Sequence, residues 1–126
     1  MPFSSYVDNK LIDHLLGSTT YTKPSALYVA LFVGNPASGG TEVTTSGSAY
    51  ARQSAAFTIS TNSASNTAAI EYPTATASWG TIDYIAIYDA STAGNQLVSA
   101  ALSSAKTIAS GDVLRIPASN LSVTLT

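Results

Sequence analysis

Seven carboxylates and one histidine are the side chains of this 126-residue chain that could do acid–base chemistry. A glycosidase needs two carboxyl groups within about 10 Å of each other. Asp83 and Asp89 fall on one face of an expected strand, but six residues at ~3.3 Å each separate them by roughly 20 Å. His14 is the single candidate base for a Ser-His-Asp arrangement, and its place at the margin of a helical stripe favours a surface or capping role.

Other catalytic and ligand-binding patterns are missing from the sequence. The chain has no cysteine, which excludes disulfides, thiolate zinc sites and a cysteine nucleophile. Gly39-Gly40 is not followed by the Lys-Ser/Thr of a phosphate-binding loop, and no Asp-rich calcium loop occurs. We therefore expect a protein that is not an enzyme and that uses no metal or other cofactor.

Charge is sparse in this chain: charged residues make up 10% of it, against about a quarter in an ordinary soluble domain. The five Lys and Arg residues are scattered and the net charge is −2, so a nucleic-acid-binding surface is not expected. No run of 18 apolar residues and no signal-peptide pattern occurs, so we expect no membrane contact. Ser and Thr hydroxyls take over the surface role of charged residues, and they are less costly to cover at an interface.

The elements that must position these residues begin with one helix, predicted over residues 6–16. Apolar residues recur there at spacings of three and four, Asp8 lies in the first turn, and Gly17 is a plausible stop. A helix of about three turns is marginal alone. It must therefore pack on its own sheet or on a neighbouring subunit.

After Pro24 the pattern changes to short strands separated by turns. Residues 26–33 and 81–89 are apolar on both faces, which indicates central strands that are covered on both sides. A sandwich buries one face of each sheet, so the second face needs the helix or another protomer. Residues 34–48 are rich in glycine and predict a long surface loop.

Seven or eight such strands favour an all-β fold, a jelly-roll-like β-sandwich with one short N-terminal amphipathic helix. The length allows one domain over residues 1–126. In it the helix precedes a β-sandwich that spans residues 26–126.

Six segments between residues 6 and 125 carry a resemblance to a known family: Asn9–Gly17, Pro24–Phe32, Gly40–Glu42, Ala49–Gln53, Trp79–Thr81 and Ile87–Ala90. In this order they resemble small structural proteins of tailed bacteriophages, commonly labelled tail fibre or minor structural proteins. Similar small β-proteins act as capsid cement or decoration proteins. The resemblance implies assembly in the host cytoplasm, a place in the virion and a homotrimer.

Capsid cement is the leading function that we expect from this resemblance, because 126 residues leave no room for both a tail-attachment domain and a receptor-binding tip. Its partner would be the major capsid protein or another virion protein. The alternative is a tail fibre or receptor-binding module, in which residues 34–48 and exposed tyrosines contact host-surface glycan. A small lectin or hydrolase unrelated to phages is a third, more distant possibility.

Interfaces between virion proteins need anchoring side chains. Tyrosine, tryptophan and arginine are enriched at such contacts, although core packing explains any single ring equally well. Arg52, in the Tyr-Ala-Arg segment, is the cation expected in a buried or interfacial ion pair with Glu42 or Asp89, unless it is an exposed side chain on an edge strand. The interface candidates are Tyr28, Phe32, Arg52, Trp79 and Asp89.

Overall fold

The computed structural model describes residues 3–125, and its first regular element is helix α1 (Ser5–Leu16). The Ser4 side chain caps the helix by accepting a hydrogen bond from the Val7 N–H. Gly17 ends it, and its N–H donates to the Asp13 carbonyl at 2.9 Å. The predicted helix is thus confirmed, but none of its residues is buried.

Ten antiparallel strands follow within the described residues. They are β1 (Leu27–Val33), β2 (Thr41–Glu42), β3 (Gln53–Ala55), β4 (Phe57–Ser60), β5 (Ser63–Asn66), β6 (Ile70–Glu71), β7 (Gly80–Tyr88), β8 (Gln96–Ile108), β9 (Arg115–Ile116) and β10 (Ser122–Thr124). The all-β, sandwich-like fold with one short helix is confirmed. Ten strands replace the expected seven or eight, because three of them are two-residue pairings too short to leave a pattern.

The strands form three sheets. The central sheet has the order β2-β1-β7-β8, with β3 also paired to β1. A second sheet has the order β10-β5-β4, and β6 pairs with β9 in a ribbon. The predicted hairpin around residues 90–95 joins β7 to β8.

The main core lies on one face of the central sheet and is closed by the second sheet and the ribbon. Trp79 is 4% exposed, and its ring meets those of Tyr50 and Tyr72 edge-on at 5.5 and 6.2 Å. Each polar tip has a backbone partner: the Trp79 indole N–H donates to Ser48 O at 2.8 Å, and the Tyr72 hydroxyl donates to Val29 O at 2.7 Å. Trp79 is therefore a packing anchor at the start of β7.

A register shift between β7 and β8 changes which β7 residues face this core. Ile82 pairs with Lys106 and Tyr84 with Ala101. A step of two residues along β7 therefore corresponds to a step of five along β8. The irregularity turns Ile82 into the main core beside Ile85, whereas simple alternation places Ile82 on the opposite face, with Tyr84. The regular alternation implied by the two apolar faces of residues 81–89 therefore fails at Ile82, where a bulge between β7 and β8 interrupts it.

The opposite face of the central sheet, called here the aromatic face, is covered by its own side chains. Its cluster joins Ala30, Phe32 and Ala86 with Tyr84 and Tyr88, all from β1 and β7. The Phe32 and Tyr88 rings stack at 6.4 Å and roof the alanine pair, which is 0% exposed. The small methyl groups let the rings lie close to the strands.

Helix α1 does not cover the aromatic face, contrary to one of the two alternatives expected for the second face. Its residues Tyr6 and Val7 pack instead on a cluster that contains Val98 and Phe57. Phe57 also packs against the main core. The helix therefore lies at the end of the main core, on the side of the central sheet opposite the aromatic face.

Residues 34–48 are not simply the long surface loop that their glycines predict. They hold a short 3-10 turn, and β2 pairs back onto β1. Gly40 passes so close to Gly34 that a Cβ on it would lie 2.3 Å from the Gly34 carbonyl oxygen. Val43 and Ser48 are buried, so Thr41–Glu42 belong to the central sheet and two further residues of the segment reach the interior.

Replacing Tyr72 with phenylalanine should lower the free energy of unfolding by about 1–2 kcal/mol. The change leaves the buried Val29 carbonyl without the hydroxyl that donates to it. Tyr28→Phe is the matched control, because Tyr28 lies on the same strand as Val29 and its hydroxyl makes no hydrogen bond to a described residue. Urea unfolding followed by fluorescence measures both, and equal losses would contradict this account of the core.

Candidate functional site

Arg52 lies between β2 and β3, above the aromatic face, and its guanidinium group joins several segments of the chain. Its Nε and Nη2 donate to the two carboxylate oxygens of Glu42, each at 2.8 Å. Its Nη1 donates to the carbonyls of Ala90 and Ala93 at 3.0 and 2.8 Å. The guanidinium carbon is 3.8 Å from the centre of the Tyr88 ring, and the side chain is 7% exposed. Arg52 therefore binds β2, β7 and the turn after β7 to one another.

The carboxylate of Glu42 extends this network to the central sheet. The Tyr50 hydroxyl donates to Glu42 Oε2 at 2.7 Å and accepts from the Leu31 N–H at 3.0 Å. Burial alone raises the pKa of Glu42, but hydrogen bonds from Arg52 and Tyr50 outweigh it and hold that pKa below its usual range. Burial and the bond to Glu42 raise the pKa of Tyr50. The carboxylate is thus ionised and the phenol neutral at ordinary pH.

Of the two acids expected to pair with Arg52, the structure brings only Glu42 into contact. The Asp89 carboxylate accepts from the Asn95 backbone N–H at 2.7 Å and from its side-chain amide at 3.0 Å. The backbone bond is the main reason why the pKa of Asp89 is lowered. Asp89 holds the turn in which Ala90 and Ala93 present their carbonyls, so it supports the Arg52 site indirectly.

The structure divides the five interface candidates. Phe32 and Arg52 contact the Tyr88 ring, Asp89 follows Tyr88 in the chain, and Trp79 lies in the main core. Tyr28 is half-buried directly across from Tyr88. Since Phe32, Arg52 and Trp79 are almost fully covered within their own chain, Tyr28 and Asp89 are the two that keep more accessible surface.

Sequence reasoning passed over Tyr50 and Tyr88, which complete the Arg52 site. Both stand in segments that carry the family resemblance, Tyr50 two residues before Arg52 and Tyr88 next to Asp89. A tyrosine two residues from an arginine on an extended segment lies on the same face as that arginine. This spacing predicts that Tyr50 and Arg52 lie side by side. No pattern in the sequence predicts the contact of Arg52 with the backbone carbonyls of residues 90–93.

A second candidate surface is the outer side of helix α1, called here the α1 stripe. It consists of Leu11, Ile12, Leu15 and Leu16, which are 37%, 61%, 67% and 85% exposed. The helical spacing predicts this stripe, but the structure shows that it points away from the rest of the chain.

An apolar groove of about 300 Å³ lies beside the α1 stripe, between the helix and the second sheet. Val7, one helical turn before Leu11, lines it together with Phe57 and Val123. Ile59, which is 69% exposed, stands on the rim. The groove therefore adjoins the α1 stripe but is a separate surface, because none of the four stripe residues lines it.

His14 takes no part in either surface. It is exposed, and its Nδ1 accepts a hydrogen bond from the Tyr21 N–H at 3.1 Å, which ties the segment after the helix back to it. Among residues 3–125, no three His, Asp or Glu side chains group as metal ligands. In the same part of the chain, no helix is long and apolar enough to cross a membrane.

Residues 2–124 match the family model described as Podophage GP4 fiber I protein gp80. A comparison with curated proteins finds no match.

The Arg52–Glu42 pair should make stability depend on acid pH. Because the folded-state pKa of Glu42 is depressed, its contribution is fully present above the ordinary value of 4.5 and is lost as the pH falls through the folded-state pKa. In Glu42→Gln this part of the pH dependence should disappear, and the free energy of unfolding at pH 7 should fall by about 2 kcal/mol. Urea unfolding between pH 7 and pH 3 measures both; Glu71→Gln, an exposed acid, is the control. A wild-type slope retained in Glu42→Gln would contradict this assignment.

Proposed function

Because the chain belongs to the Podophage GP4 fiber I protein gp80 family, a family of structural proteins of tailed-phage virions, we propose that it is part of a virion fibre. The fibre role agrees with the family description. That description mentions neither a capsid nor cement, so capsid cement has less support than the sequence resemblance alone gave it.

We propose that copies of this chain associate with one another, and the observation that supports this is the exposed α1 stripe. The exposed fractions of its four aliphatic residues add up to about two and a half whole residues. Moving one fully exposed side chain of this kind out of water contributes a free energy of about 1.5–3 kcal/mol. Monomeric soluble proteins rarely leave such a patch open. A second copy of the chain would recover this free energy.

The apolar groove is the surface on the next copy that the α1 stripe would fill. The stripe alone is small beside the roughly 800 Å² that each partner buries in a stable interface. Docking into the groove also covers Ile59 and the lining around Val7, which enlarges the contact on both copies. Stripe and groove are different surfaces, so the contact is heterologous and closes into a ring when the rotation allows it. We propose a ring of three, the homotrimer that the family resemblance implies.

A structural rather than catalytic role agrees with the state of the carboxylates. Glu42 is bound by Arg52 and Tyr50, and Asp89 by Asn95. Asp83 accepts from the Gly34 N–H at 2.7 Å. These acids shape the chain's own backbone, and none of the three is left free to act on a substrate.

Glycan contact through residues 34–48 has less support from the geometry. Part of that segment pairs with β1, and Val43 and Ser48 are buried. A receptor-binding role through this segment would depend on its exposed part alone.

The position of the protein on the particle tests the fibre proposal. We expect antibody labelling in electron micrographs to mark the tail region, and quantitative mass spectrometry to give tens of copies per virion. Label spread over the head, with hundreds of copies, would indicate cement and contradict the proposal.

Leu15→Glu should convert the trimer to a monomer, because it puts a charge into the apolar contact. The fold should survive, with the free energy of unfolding of the monomer changed by less than about 0.5 kcal/mol, since Leu15 is 67% exposed. Lys10→Gln changes the net charge by the same amount at an exposed position roughly 140° around the helix from Leu15, and should leave the trimer intact. Light scattering after size-exclusion chromatography measures the mass. A monomeric wild-type protein, or a trimeric Leu15→Glu variant, would show that the stripe has another role.

A further inference from the structure

Strand β8 forms one edge of the central sheet, and this edge is only partly covered. Near its start, Phe3 forms a bridge with Val98 and the Ser4 N–H donates to Leu97 O at 2.8 Å. From residue 99 to residue 107, no strand among residues 3–125 pairs with the outer edge. Within this run, residues 102–105 also lack a register partner on β7. The edge therefore presents backbone N–H and C=O groups to which an extended segment can add.

A groove of about 580 Å³ runs along this open edge. Residues 100–104 of β8 form one wall, residues 114–117 and 120–122 form the other, and Leu31 and Ile85 lie at its base. The lining is aliphatic below and rich in hydroxyls at the rim. Because side chains alternate along a strand, every second residue of a strand added to β8 would point into this groove.

The charges at the groove have one sign. Lys106 and Arg115 line it, and no Asp or Glu does. Neither cation lies within 4.0 Å of a carboxylate of the described residues, although Glu71 is the register partner of Arg115. The chain has only five Lys and Arg residues, and two of them line this groove, so an acidic group bound in it meets cations and no lining carboxylate.

We propose that the open edge of β8 binds an extended peptide strand of a partner protein by strand addition. Apolar side chains at alternate positions of that strand occupy the groove, and an acidic side chain lies against Lys106 and Arg115. A saccharide fits less well, because no aromatic ring lines the groove for a sugar to stack on. The site is separate from the α1 stripe, so it does not depend on self-association.

Three labelled peptides test the proposal on the full chain. The first, Val-Ser-Val-Thr-Asp-Ser-Glu, has the expected pattern, because Val, Asp and Glu share one face of the strand; the second carries Lys in place of Asp and Glu; the third carries Pro in place of the second Val and the following Thr, and so lacks a ladder donor on each side of the strand. We expect the acidic peptide to shift the amide resonances of residues 100–106 and to bind at least about tenfold more tightly than the basic one. The proline peptide should not bind.

Charge-reversal variants then test the cations. Lys106→Glu and Arg115→Glu should each weaken binding of the acidic peptide by about tenfold, and both residues are exposed, so the amide spectrum should otherwise keep its dispersion. Lys23→Glu, an exposed cation that does not line the groove, is the matched control and should bind as wild type does.

Several outcomes would overturn the proposal. These are no shift with any peptide, shifts confined to the α1 stripe, equal binding of the acidic and basic peptides, or equal binding by all four proteins. If a polyglucuronate oligosaccharide shifts residues 100–106 and the acidic peptide does not, the groove is a saccharide site and strand addition is wrong.

Discussion

Burial of the Arg52 guanidinium is the constraint on which much of the outer side of this fold depends. A guanidinium cannot be deprotonated in a protein, so a buried one must have its donors satisfied by fixed acceptors. Glu42 supplies two oxygens, and the carbonyls of Ala90 and Ala93 supply two more. Meeting this requirement fixes β2 against β1, holds the turn after β7, and keeps Tyr88 flat beneath the cation. One charged side chain thus orders segments that share no strand pairing with each other.

The aromatic face shows how a sheet can close one side without a covering layer. Ala30 and Ala86 are register partners at the centre of the sheet, and their small side chains leave room for Phe32 and Tyr88 to lean over them. Arg52 then forms a third layer on Tyr88. An alternating run of alanine and large rings on a central strand therefore predicts a self-covered face as well as a protein interface, and only the three-dimensional arrangement distinguishes them.

Local patterns were enough to predict helix α1, strands β1 and β7, and the all-β class, since each depends on residue spacing within one segment. They missed three features that depend on distant contacts. The bulge at Ile82 follows from how β8 meets β7. The pairing of β2, which lies within residues 34–48, depends on a free edge of β1, and the side on which α1 packs depends on a groove formed by the second sheet. In the candidate site, the Glu42 partnership was within reach of sequence reasoning, but the carbonyls of residues 90–93 were not.

The positions of the few cations suggest why this chain carries so little charge. Arg52 is bound by acceptors of its own chain, and the Lys10 ammonium lies 5.7 Å from the centre of the Tyr6 ring. Lys106 and Arg115 line the groove beside β8. Much of the remaining surface carries hydroxyls and aliphatic groups, which lose little on leaving water. A protein that lives as a free monomer gains from spread charge, because repulsion keeps it apart from its neighbours. A fibre subunit has the opposite need, since its surface must be covered by other subunits, and charge is then best kept to the few positions where it selects a partner.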